Sequence, residues 1–152
     1  MRLLVIIEAP TARGKMSSFH YPVTKFEVID GDSVRVWLDR GWGDTKRIIC
    51  RLYGIDAPEI RNAQTILERD AANEVMLAVD RWLQAAQADE LCSVSMDKGD
   101  WVGRYFGDIM RGKQKLSSAL FGAQLVKAYE GKRRAWTPQE LDTIETRAKN
   151  VF

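Results

Sequence analysis

The sequence contains little cysteine and histidine. Of its 152 residues, two are cysteine and one is histidine. Cys50 and Cys92 lie in strand-like apolar runs, and their spacing matches neither a disulfide framework nor a metal-binding pattern. We therefore expect two buried free thiols without a catalytic role. His20, the only histidine, lies in the N-terminal segment and is set aside as a functional residue.

Long apolar runs are also missing. No stretch approaches the roughly 18 consecutive apolar residues of a membrane span, so we expect a soluble protein with no membrane partner. The apolar run at 3–7 is shorter than the roughly 7 to 15 residues of a signal-peptide core, and we therefore expect a cytoplasmic protein. Residues 1–20 are expected to form a flexible leader, within which Met16 is an alternative start, and residues 21–152 to form the domain.

Length and charge set further bounds. A chain of 152 residues with 45% hydrophobic content is long enough for one domain with a core and too short for two ordinary ones. The formal charge is only +2 and the pI is about 8.6. This balance permits a polyanionic partner through a local basic patch, but it does not require one. The chain has no internal repeat and no low-complexity block.

Apolar and polar residues alternate in the first half of the chain, which is typical of half-buried strands. An apolar strand before Asp30 and an alternating strand after Gly31 predict a hairpin. The alternation over 48–53 predicts a third strand, which places Arg51 on the face opposite Cys50. On that face the guanidinium does not have to be buried.

The second half of the chain predicts helices on either side of further strands. Apolar residues at helical spacing predict a long amphipathic helix over 64–88. Strands are predicted over 91–96 and 105–110, with a turn at Asp97–Asp100 between them, and a short helix over 116–121. Thr137, Pro138 and Glu140 form the start signal of a final helix. This order of elements indicates an α+β domain built on a small barrel.

Charged residues cluster in three segments at predicted strand ends or turns: Asp30–Val34, Arg51–Glu59 and Asp100–Arg104. The middle segment combines an arginine, two carboxylates and a proline-locked turn. We interpret the three segments as parts of one site that cleaves a phosphate ester. Taken singly, the acidic residues are equally well explained as turn residues.

These segments carry a family resemblance. Val28–Val34, Arg51–Glu59, Gly103-Arg104 and Val126–Tyr129 occur in the order seen in the staphylococcal nuclease (thermonuclease) family, around a long helix. The resemblance covers residues 21–152. It implies a five-stranded OB-fold β-barrel with about three α-helices, and a Ca²⁺-dependent nuclease acting as a monomer on DNA or RNA.

The resemblance also implies a Ca²⁺ site. Asp32 and Asp56 match the two carboxylate ligands of the family, and the backbone carbonyl of Ala57 matches the third ligand. Asp32 and Asp56 lie on strand ends that a small barrel brings together, and hard oxygen ligands suit Ca²⁺. Ala57 replaces a threonine of the family, so a hydroxyl is lost while the carbonyl is kept. An ion held by two carboxylates retains several waters and can orient one of them beside a phosphate.

Three further residues match the catalytic residues of the family. Glu59 corresponds to the general base, with a solvated acidic residue before the helix as the alternative. Arg51 and Arg104 correspond to the two arginines that contact the scissile phosphate. A planar guanidinium binds two phosphate oxygens while charge grows in the transition state. The alternative is a pair of structural ion pairs, for example with Asp100 or Asp56.

Substrate contacts are expected near the rim of the cleft, from residues late in the chain. Tyr129 aligns with a late tyrosine of the family and could stack on a base, bind a phosphate or pack against the barrel. Lys127 belongs to a mixed basic and aromatic segment that suits a nucleic-acid backbone and equally suits an ordinary basic loop. Val102 stands where the family commonly has tyrosine, and the turn before Arg104 is shorter than in the founding member.

The expected reaction is attack of water on a phosphodiester, and the family resemblance implies that it leaves 3′-phosphate ends. The main alternative is an OB-fold module that binds nucleic acid or protein without catalysis, which predicts missing acids. A Ca²⁺-stabilised interaction domain without turnover is a third possibility.

Overall fold

A computed structural model of the chain describes residues 19–101, 104–132 and 135–152. Within these residues, eight strands and three helices follow one another along the chain. In order they are β1 (His20–Asp30), β2 (Ser33–Asp39), β3 (Thr45–Leu52), β4 (Ile55–Asp56), α1 (Ile66–Gln84), β5 (Leu91–Trp101), β6 (Arg104–Arg111), β7 (Gln114–Lys115), α2 (Leu116–Gly122), β8 (Lys127–Ala128) and α3 (Pro138–Asn150).

Five long strands close into a barrel. They lie in the order β3-β2-β1-β5-β6, and a parallel pairing of β3 with β6 joins the two ends. The other neighbours in the barrel are antiparallel. The short strands β4 and β8 form a separate pair beside the barrel. The expected α+β fold, a five-stranded OB-fold barrel with three helices, is confirmed.

The predicted hairpin is the β1–β2 pair, and its alternation sorts the side chains between the two faces. Val34, Val36 and Leu38 of β2 are buried inside the barrel. Arg35 and Trp37, on the other face, are partly exposed. Because successive side chains point to opposite faces of a strand, one face fills the core and the other meets solvent.

Helix α1 covers one side of the barrel. Thr65 is its N-cap, and the Thr65 hydroxyl accepts a hydrogen bond from the Glu68 N–H. The buried stripe includes Val75, Val79 and Trp82, and the helix packs against α3 as well as β1. The predicted helix over 64–88 is therefore confirmed, with shorter ends. Helix α3 has the predicted capping box between Thr137 and Glu140.

Two local predictions were wrong. The Asp97–Asp100 turn is instead part of β5, whose backbone pairs Asp97 with Phe106 and Trp101 with Arg104. Pairing with β6 satisfies backbone groups that a turn would otherwise have to satisfy locally, and tertiary pairing overrides turn propensity. Cys50 is buried as predicted, and burial raises the pKa of its thiol to about 12, but Cys92 is only half-buried.

Some predictions fall on residues outside the described ranges. They concern most of the leader (1–18), Val102 and Gly103 at the site, and two arginines of the basic segment at 133–134. Strand β1 begins at His20, next to the expected start of the domain at Tyr21.

Candidate functional site

One cleft collects most of the predicted site residues. It has a volume of about 350 Å³ and opens where the β1–β2 turn, β3, β4 and the start of β6 meet. The residues that line it are Ile29, Asp30, Asp32, Ser33, Ile49, Arg51, Asp56, Glu59, Arg61, Asn62, Arg104, Phe106 and Tyr129. Residues far apart in the sequence thus meet because the barrel brings the ends of different strands together.

Arg51 lies at the centre of this cleft and is only 8% exposed. Its Nη1 donates to the backbone carbonyls of Leu52 and Ile55, both at 2.9 Å. Its Nη2 lies 3.2 Å from an oxygen of Asp32 and 3.6 Å from an oxygen of Asp56. The face of Arg51 was predicted correctly, but its guanidinium is buried because these four oxygens replace water around it.

Asp32 is held in place by neighbours on both sides. One carboxylate oxygen accepts a hydrogen bond from the Ser33 hydroxyl and the other from the Ala57 N–H, each at 3.1 Å. The second contact connects the β1–β2 turn to the residue after β4. Asp56 and Ala57 are therefore fixed relative to Asp32, although they are distant in sequence.

The loop that carries Glu59 is tied to the first turn of α1. Glu68, which is 3% exposed, accepts hydrogen bonds from the N–H groups of Glu59 at 3.2 Å and Gln64 at 2.8 Å. The Ile60 N–H donates to Asp30 at 3.4 Å. The loop conformation thus depends on carboxylates of two other elements. Sequence reasoning missed Glu68 because its helical position alone does not reveal its partners.

Arg104 enters the cleft from the start of β6, opposite Ile49 of β3. Among the described residues, the Arg104 Nε is buried and has no hydrogen-bond partner. An unpaired buried donor is unfavourable by about 1–3 kcal/mol, and an anion in the cleft would supply the missing acceptor. Tyr129 lies at the cleft rim, is 41% exposed, and has its ring centroid 5.9 Å from the Arg51 guanidinium carbon.

Lys127 is directed elsewhere. Its ammonium lies 2.7 Å from the Glu140 carboxylate and 4.4 Å from the centre of the Trp136 ring. It is not among the residues that line the cleft. These contacts connect β8 to α3. The position therefore supports a packing role for Lys127 more directly than the predicted substrate contact.

Asp30, Arg61 and Asn62 also line the cleft; Asp30 belongs to a predicted site segment but was given no role, and Arg61 and Asn62 were not predicted. Asp30 was interpreted as a turn residue. Burial, together with the nearby Asp32 carboxylate, raises the pKa of Asp30 to about 6. Arg61 and Asn62 follow Glu59 in the same loop, so their closeness to Glu59 in the sequence could have identified them as cleft residues.

The donor set is compatible with a hydrated cation. Asp32 and Asp56 are close enough to approach the same nitrogen of Arg51, and Ala57 follows directly with a backbone carbonyl. Such oxygen donors suit Ca²⁺. The described ranges contain no group of three or more His, Cys, Asp or Glu side chains placed to hold a metal. A bound ion would therefore have few protein ligands and keep several waters.

Comparisons with known proteins add no functional information. No protein-family model matches the chain, and no curated protein matches it either. In the part of the chain that the structure describes, no helix is both long and apolar enough to cross a membrane.

Proposed function

We propose that this protein is a Ca²⁺-dependent nuclease of the staphylococcal nuclease type, which hydrolyses phosphodiester bonds of DNA or RNA and leaves 3′-phosphate ends. The observation that carries the proposal is the convergence of Arg51, Arg104, Asp32, Asp56 and Glu59 on one open cleft. Such a reaction requires cations that bind the phosphate, and carboxylates that bind a metal ion and accept a proton.

Arg51 and Arg104 bind the scissile phosphate in this proposal. Arg51 is oriented by two backbone carbonyls and two carboxylates, so its position is fixed before substrate arrives. Arg104 has a buried donor without a partner among the described residues. Donors fixed in advance stabilise the charge that develops on the phosphate oxygens, because they need no reorganisation during the reaction.

Glu59 accepts a proton from the attacking water or holds that water in place. Its loop is fixed by hydrogen bonds from the backbone of 59 and 64 to Glu68. Fixing the loop matters because a general base has to lie within hydrogen-bond reach of the proton it removes. Asp32, Asp56 and the Ala57 carbonyl would hold Ca²⁺. When bound, the ion would supply Lewis-acid polarisation of the phosphate and orient water.

A non-catalytic binding module is the second candidate. The contacts of Arg51 favour it, since all four oxygen partners of the guanidinium also explain that residue as a structural ion pair. The same barrel can bind a single strand without cleaving it. The two candidates differ in whether the cleft turns substrate over.

Cleavage assays separate these candidates. Labelled single-stranded DNA, duplex DNA and RNA are incubated with protein in Ca²⁺ or in EGTA, and product ends are identified by mass spectrometry. We expect Ca²⁺-dependent turnover, a loss of at least about 100-fold in Glu59→Gln and in Arg104→Ala, and full activity in the exposed control Arg69→Ala. Binding of substrate without cleavage in Ca²⁺ would refute the nuclease proposal and support the module.

A further inference from the structure

Trp42 lies at the tip of the β2–β3 hairpin and is fully exposed, at 106% of its reference surface. It stands between Gly41 and Gly43. Exposed single apolar residues are common, but a fully exposed tryptophan is the largest apolar side chain that a protein can present to solvent. Packing in the core therefore does not explain why tryptophan occupies this position.

The backbone at this tip does not favour tryptophan. Trp42 has φ of 55°, and Gly41 and Gly43 have φ of 81° and 73°. This left-handed region suits glycine and is unfavourable for a bulky side chain. The turn is nevertheless well fixed, because the Arg40 N–H donates to the Asp44 carbonyl and the Asp44 N–H to the Gly41 carbonyl, both at 2.9 Å. A rigid turn thus presents a side chain that contributes little to folding.

The outer face of the same hairpin connects this tip to the cleft. In the β2–β3 register, Ser33 lies opposite Arg51, Arg35 opposite Ile49, and Trp37 opposite Arg47. Ser33, Ile49 and Arg51 line the cleft. The seven residues of β2 span about 20 Å, at roughly 3.3 Å per residue. That span is compatible with the roughly 4–16 nucleotides that an OB fold contacts.

Cations accompany the aromatic residues along this face. The cations on this face are Lys25, Arg35 and Arg47, and Arg35 is paired with Glu27 at 2.6 Å. Lys25 lies 4.7 Å from the centre of the Trp37 ring, so charge and aromatic surface are adjacent. Alternating cations and aromatic rings are what a single-stranded nucleic acid needs for its phosphates and bases.

We propose that the hairpin face, formed by Arg35, Trp37, Arg47 and Trp42, binds the single strand that extends out of the cleft, with a base stacked on Trp42. The inference deepens the proposed function, since it assumes that nucleic acid occupies the cleft. It assigns to this chain a binding surface that extends to the far end of the hairpin. Longer strands therefore bind more tightly than a dinucleotide.

The experiment measures affinity in EGTA, so that it does not depend on cleavage. Wild type, Trp42→Ala, Trp42→Phe and the control Phe121→Ala are titrated with a dinucleotide and with a single strand of about 12 nucleotides. Phe121 is also an exposed aromatic residue, but it lies on α2. Melting curves verify that each variant is folded. Anionic lipid vesicles are titrated in parallel.

Loss of a stacked base corresponds to about 1–3 kcal/mol, which is about 5- to 150-fold in affinity. We expect Trp42→Ala to reduce the preference for the longer strand over the dinucleotide by that factor. Trp42→Phe should retain most of the preference, and Phe121→Ala should leave it unchanged. An unchanged preference in Trp42→Ala, or a loss confined to vesicle binding, overturns the inference.

The cleavage assay is read separately. Trp42-dependent binding without turnover refutes the nuclease and retains the hairpin face as a nucleic-acid surface. Turnover together with binding that does not depend on Trp42 supports the nuclease proposal and refutes the hairpin face as a nucleic-acid surface.

Discussion

The Nη2 of Arg51 lies 3.2 Å from the carboxylate of Asp32, and both side chains are about 90% buried. Asp56 lies on the same nitrogen at 3.6 Å. Two carboxylates thus lie beside one guanidinium in a site with little water. The same arrangement gives Arg51 a structural role beside its proposed phosphate contact, and substitution can separate the two.

Arg51→Lys tests this separation. Lysine keeps the charge but loses the planar fork, so we expect the free energy of unfolding to fall by about 1–3 kcal/mol and cleavage by about 100-fold. Arg51→Ala removes the cation between two buried carboxylates and should lower the free energy of unfolding by about 3–5 kcal/mol. Denaturant unfolding and initial rates measure both, with Arg69→Lys on α1 as control. Wild-type rates in folded Arg51→Lys would contradict the proposed phosphate contact.

The sequence predicted the barrel because its signals are local. The alternation in β2, the apolar stripe of α1 and the capping signal at Thr137 each depend on neighbours in the chain. The site residues on strand ends followed from the motifs. Nothing local indicated that the backbone of 97–101 would pair with β6, since the partner strand supplies the deciding hydrogen bonds.

Side-chain partners were the least predictable part. Lys127 was expected at the substrate, whereas the fold places Glu140 of α3 within 2.7 Å of its ammonium. Likewise, Glu68 is one of several acids on α1 and stands out only because its carboxylate meets the backbone of another loop. Such contacts depend on how helices pack on the barrel, which periodicity does not specify.

Glu68 is expected to position Glu59 without touching substrate. Glu68→Ala removes the acceptor for the N–H groups of Glu59 and Gln64, so we expect kcat to fall by about 100-fold with a small change in KM. Glu68→Gln keeps one acceptor oxygen and should recover part of the loss. Steady-state kinetics distinguish the variants, with Glu74→Ala on the same helix as control. A loss of stability with unchanged kcat would assign Glu68 a purely structural role.

Gly31 and Gly107 stand where neighbouring elements pack too closely for a side chain. A Cβ at Gly31 would lie 2.6 Å from a methyl group of Val75 on α1, and a Cβ at Gly107 would clash with the backbone carbonyl of Val94. We expect Gly31→Ala to lower the free energy of unfolding by about 1–3 kcal/mol. Gly107→Ala should have a larger effect, because a backbone atom in a paired strand cannot move aside.

Unfolding curves in guanidinium chloride test whether Gly107→Ala is more destabilising than Gly31→Ala. Gly122→Ala is the matched control, since Gly122 ends α2 and, apart from its chain neighbours and the helix backbone, no atom of the described residues lies within 4 Å of an added Cβ. It should be neutral or stabilising by up to about 1 kcal/mol. Adding Val75→Ala to Gly31→Ala relieves the contact, so the two changes should cost less together than their separate effects predict. Strict additivity would refute the clash.

Asp108 gives the protein a pH-dependent stability. Its carboxyl is 2% exposed, and burial raises its pKa above the usual value of 3.8. Hydrogen bonds from the Ser117 hydroxyl and from the N–H groups of Ser117 and Ile109 lower the pKa, without offsetting burial. The folded state therefore holds its proton more tightly than the unfolded state.

The sign follows from linkage. The stability from the protonated form is fully present below the unfolded pKa and is lost as pH rises through the raised folded pKa. Asp108→Asn cannot titrate, so the melting temperature of the variant relative to wild type should increase as pH rises from below 3.8 towards neutrality. Melting curves of both proteins across this range isolate Asp108 from the other carboxyls, which titrate in each. A difference in melting temperature that stays constant with pH would show that the buried carboxyl has the same pKa in the folded and unfolded states.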